Sequence, residues 1–99
     1  MKKLLLIPLL AFNVNAEFTK SESELCDSFE NMSRLIMKSR QAGTPMRDLI
    51  KRAKGNEAII ATIVDAFKEP RWSSLERVKR SVDDFANDSY KVCYQQFKG

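Results

Sequence analysis

Beyond Pro8, glycine and proline occur only at Gly43, Pro45, Gly55, Pro70 and the terminal Gly99. These two residue types are the poorest helix formers, so the chain can be interrupted at few places. Between the breaks the apolar positions recur three and four apart, and no stretch alternates with period two. The expected fold class is all-α, a compact bundle of about four helices.

The capping chemistry divides the chain further. Ser21, with Glu24 three residues on, reads as a capping box opening a first helix. Leu25, Phe29, Met32 and Ile36 then form one stripe. Lys38 and Arg40 suit its last turn, and Gly43 suits a left-handed end. Thr44 as cap and Pro45 at the first helical position open a second helix with Met46, Leu49, Ile50 and Ala53 on its face. Gly55 ends it. Asn56 caps a third, carrying Ile59, Ile60, Ile63, Val64 and Phe67, which Pro70 stops near Lys68. Ser73 and Glu76 form a second capping box before the longest helix. Its face runs through Leu75, Val78, Val82, Phe85, Ser89, Val92 and Gln96, with Cys93 in line with Leu75. Tyr90 and Phe97 are placed to close the bottom of the core, and Tyr94 points further out.

The chain opens with Met1-Lys2-Lys3, an apolar run from Leu4 to Phe12, and Val14-Asn15-Ala16. That order of basic, apolar and small residues is that of a secretory signal peptide, here 1–16, leaving 17–99 as a single helical domain. The run is too short to span a bilayer, which takes about 20 apolar residues. Cleavage after Ala16 removes Lys2 and Lys3 and lowers the formal net charge from +4 to +2. The basic character of the full chain is thus partly that of its leader, and nucleic acid is not an expected partner. The two cysteines, Cys26 and Cys93, read as a disulfide in an exported chain. Joining the start of the first helix to the end of the last requires those helices to run antiparallel.

Charge is segregated. Residues 17–33 are mostly acidic, whereas 34–54 carry seven bases and one acid. Antiparallel packing would gather Lys38, Arg40, Arg47, Lys51, Arg52, Arg71, Arg77, Lys79 and Arg80 toward one pole. The helix dipole accounts for cations ending the first helix but not for those beginning the last. Arg40, Arg47, Lys51, Arg71 and Trp72 are therefore the candidate partner-binding residues. Arg40 falls within the apolar sector, where it either carries its charge past the helix end or serves a carboxylate such as Asp48, Asp65 or a partner's. Trp72 either lids the core or anchors a contact beside Arg71.

Histidine is absent, which removes Ser-His, Cys-His and His-metal chemistry. Two paired cysteines cannot form a four-ligand zinc site. No cofactor, metal or catalytic residue is expected, and the chain is not read as an enzyme.

Arg40-Gln41-Ala42-Gly43 with Pro45-Met46, Ile63-Val64-Asp65-Ala66-Phe67, Pro70-Arg71, Asp84-Phe85-Ala86-Asn87 and Cys93 together resemble a group of small exported proteins of Gram-negative bacteria and their phages. The resemblance spans roughly Cys26 to Cys93. It implies a periplasmic helical domain and supplies no catalytic residues. In architecture the chain is also similar to phage-encoded periplasmic inhibitors and to small acid-stress chaperones. The expected function is that of a periplasmic or secreted binding or inhibitory protein. Its partner would be another exported protein: a cell-wall hydrolase, a toxin or an incoming phage component. One alternative is a chaperone loosened when the 13 carboxylates are neutralised. Another is a peripheral protein on an anionic membrane surface.

Overall fold

The computed structural model describes residues 18–98; the signal-peptide reading falls on residues outside that range. Four helices follow one another: α1 (Lys20–Ala42), α2 (Met46–Ala53), α3 (Glu57–Ala66) and α4 (Leu75–Lys98). As read from sequence, the two long helices pack against each other and are joined by the Cys26–Cys93 disulfide, with Cα atoms 5.5 Å apart. The bond ties the first turns of α1 to the last turns of α4, so the pair is antiparallel. A disulfide suits an oxidising compartment, and no described helix is long and apolar enough to cross a membrane.

The helix ends show where local chemistry competed. The first capping box is Thr19–Glu22, two residues before the expected Ser21–Glu24 pair. Thr19 Oγ1 accepts from the Glu22 amide at 3.1 Å, and the Thr19 amide donates to Glu22 Oε1 at 3.0 Å. Both pairs have the right spacing, but the earlier start sets Phe18 edge-on against Tyr94, ring centres 4.7 Å apart. Gly43 ends α1 with φ +97°, and the Gly43 and Thr44 amides donate to the carbonyls of Arg40 and Ser39. This is a Schellman closure. It engages the Thr44 amide, so α2 starts one residue later than expected, with Pro45 (φ −64°, ψ 144°) as its extended cap. Asn56 caps α3 as expected, its side chain accepting from the Ile59 amide at 3.1 Å. That helix ends at Ala66, short of Lys68. At α4 the capping hydroxyl is that of Ser74, accepting from the Arg77 amide at 3.1 Å, and not that of Ser73.

Ile36 and Met37 of α1, Leu49 and Ala53 of α2, Ile63 and Ala66 of α3 and Val82 of α4 form the core, with Met32, Ile59, Phe67, Val78 and Phe85 packed around it. Cys26, Ser33, Met37, Ala86 and Cys93 are buried along the α1–α4 seam. The small Ser33 and Ala86 let the two helices approach between the disulfide and Met37. Several expected core residues are exposed. Leu75 is 87% exposed: it opens α4 beyond the point where α1 has ended, so no helix faces it. Leu25, Val64 and Val92 are exposed. Phe97 is also partly open rather than closing the core, because α2 and α3 cover only the half of the long pair nearest α1's C-terminus.

Arg34 crosses the same seam. It donates to Asp83 Oδ1 at 2.6 Å and to Glu30 at 3.4 Å, while Lys79 donates to Asp83 Oδ2 at 2.8 Å. The hydrogen bond from Lys79, then that from Arg34, holds the Asp83 carboxyl below its ordinary range, and Asp83 in turn raises Arg34. A depressed carboxyl stabilises the fold above the unfolded-state pKa, roughly 4, and that contribution is lost as pH falls through the folded-state value. Asp83→Asn is therefore expected to lower the melting temperature modestly at pH 7. The gap to the wild type should close in acid. A gap that is constant with pH would show that the ion pairs are not its cause.

Candidate functional site

The strongest polar constellation sits where the end of α1 meets the segment leading into α4. Gln41 follows Met37 by one helical turn, which carries its amide onto the buried face of α1. There its Nε2 donates to the Pro70 carbonyl at 2.9 Å, and its Oε1 accepts from the Trp72 amide at 2.8 Å. One side-chain amide thus satisfies both groups of a non-helical strand of backbone that has no ladder partner. Gln41 Nε2 also lies 3.6 Å from Met37 Sδ.

Two arginines flank this clamp. Arg40 donates through Nε and Nη2 to the Glu69 carbonyl at 3.0 and 2.9 Å, with its guanidinium 4.7 Å from the Phe67 ring centre. The Arg40 side chain thus serves a main-chain oxygen, and neither Asp48 nor Asp65. Arg71 donates from Nε to the Gln41 carbonyl at 3.3 Å. Its guanidinium lies so close to Gly43 that a Cβ there would sit 3.1 Å from it. Glycine is needed at 43 both for its positive φ and for this approach.

Trp72, half-buried, is fixed through its backbone by Gln41, and the Arg77 guanidinium lies 4.9 Å from its ring centre. The ring lines an open cavity of about 410 Å³ together with Glu69, Arg77, Ser81, Phe85 and Asp88, among others. Ser81 Oγ is buried there without a hydrogen-bond partner. The cavity combines two aromatic walls, the two cations Arg77 and Arg80, and carboxylates, which suits docking of an amphipathic side chain.

Of the five residues expected to contact a partner, the structure brings Arg40, Arg71 and Trp72 together at this joint. Arg47 and Lys51 are exposed on α2, which packs mainly on α3. Sequence places Arg77 in the basic pole but not among the five, and it singles out neither Gln41 nor the cavity. Gln41 had a signal, as an amide one turn after a core methionine; the cavity had none, because it depends on how the 67–74 segment crosses the end of α1. Among the described residues no group of three or more acidic or cysteine side chains is placed to hold a metal ion. No protein-family model, curated protein sequence or solved structure matches this chain.

Proposed function

We propose that this chain is a small exported binding or inhibitory protein, released into the periplasm by cleavage near Ala16, that works by protein–protein contact. The observation that carries this reading is Trp72. Its backbone is clamped by a buried glutamine, its ring is stacked with Arg77, and it opens onto a cavity in a frame stapled at the opposite end. A preorganised aromatic beside arginine is the typical anchor of an interface, since little entropy is lost when it is covered. Arg47 and Lys51 supply exposed positive charge for steering an acidic partner. Cell-wall hydrolases, toxins and incoming phage components are the target classes this surface would serve.

The test is capture from periplasmic extract on oxidised Glu17–Gly99. Trp72→Ala is expected to weaken the captured partner at least tenfold while leaving the helical signal intact. Replacing Arg47 and Lys51 by alanine should weaken it mainly at low salt. A partner held equally by all variants would refute the Trp72 surface. A second reading, an acid-activated chaperone, draws on the exposed Leu25 and Val92. It predicts many unfolded clients retained only at low pH.

A further inference from the structure

An apolar surface that no other described element covers lies at the other end of the molecule. Because the core engages α1 from Met32 onward, the first turns of α1 and the last turns of α4 form a two-helix arm beyond α2 and α3. On one face of that arm Leu25, Phe29, Val92 and Phe97 line a groove of about 350 Å³ beside the disulfide, with Gln96 as the polar side chain in it. Leu25 is 56% and Val92 52% exposed. The groove does not stop at the arm. Phe29 and Val92 also line a second hollow, of about 310 Å³, whose walls include Asp65, Glu69, Asp88 and Lys68. Lys68 is engaged by Asp65 at 3.2 Å, so this continuation carries net negative charge. The first helix adds Glu24 and Asp27 on exposed positions of the same arm, offset in part by Lys20 and Lys91, so the negative charge is concentrated at the Asp65, Glu69 and Asp88 end of the trough.

We propose that this trough binds an amphipathic helix of a partner protein, with an apolar stripe and lysine or arginine flanks. Two antiparallel helices with an open groove leave the site of a third helix empty, and apolar side chains three and four apart would fill it. The acidic rim selects the sign of the flanks. It disfavours a second copy of this chain, which would set carboxylates against carboxylates, and it disfavours an anionic membrane surface. The inference rests on the binding-protein reading; the trough shares the Glu69 and Asp88 wall with the Trp72 cavity, but Leu25, Phe29 and Val92 lie outside that cavity and Trp72 lies outside the trough, so the serine changes and Trp72→Ala test the two surfaces separately.

The probe is a synthetic 18-residue helical peptide with leucine on one face and lysine on the other, titrated into oxidised Glu17–Gly99. Saturable one-to-one binding is expected. Leu25→Ser with Val92→Ser, both at exposed positions, should weaken it at least tenfold, and Asp65→Asn with Asp88→Asn should weaken it less and reduce its salt dependence. Trp72→Ala should leave it unchanged. The same peptide with glutamate for lysine should not bind. Equal binding of the glutamate peptide, or no effect of the serine changes, overturns the proposal. So does self-association, or attachment to phosphatidylglycerol vesicles, that the serine changes abolish. Loss of peptide binding with Trp72-dependent capture intact would refute the trough and leave the binding-protein reading standing.

Discussion

Replacing both Cys26 and Cys93 by alanine is expected to lower the unfolding free energy by about 4 kcal/mol, from the chain entropy of closing a loop this long. The two residues are 67 positions apart and both are buried, so the bond restrains most of the described chain. A domain of this size has roughly 5–15 kcal/mol of stability in total. At the low end of that range the loss leaves the double variant close to its melting point at physiological temperature. Urea unfolding of the oxidised chain and the double variant measures it. A difference below about 1 kcal/mol would mean that packing of α1 on α4 holds the reduced unfolded chain nearly as compactly.

The second large effect belongs to Gln41. Gln41→Ala removes one donor and one acceptor together, leaving the Pro70 carbonyl and the Trp72 amide without their partners. At about 1–3 kcal/mol for each buried group left unmatched, discounted because both lie near the surface, the expected loss is about 2–4 kcal/mol. Gln41→Glu should cost nearly as much, since a carboxylate accepts from Trp72 but cannot donate to Pro70. Trp72 is the chain's only tryptophan, so its fluorescence reports on the joint directly. Both variants should shift emission to the red before global unfolding. Unchanged emission with unchanged stability would show that the segment is held by Arg40 and Arg71 alone.

The helices, their order and the disulfide were legible because their signals are local: stripes three and four apart, Gly43, Asn56 and two cysteines. The errors have specific causes. Thr19 and Ser21 both satisfy the capping-box spacing, and a tertiary contact, Phe18 on Tyr94, accompanies the earlier choice. Ser73 and Ser74 are likewise both plausible caps, and the hydrogen bond to Arg77 falls to Ser74. Leu75 and Leu25 have correct periodicity but no facing helix at their height. Arg40 and Arg71 were chosen for their charge, and the structure uses that charge to hold main-chain carbonyls, which no spacing rule foretells. Trp72 alone of the five joins that joint to an open surface.

The most direct test of the account compares capture by the oxidised chain with capture by the reduced and alkylated chain, from one extract at neutral pH. The account predicts a single stoichiometric partner on the oxidised chain, lost on Trp72→Ala and lost again on reduction, because the surface depends on the stapled frame. A mixture of unfolded proteins held better by the reduced chain would contradict it.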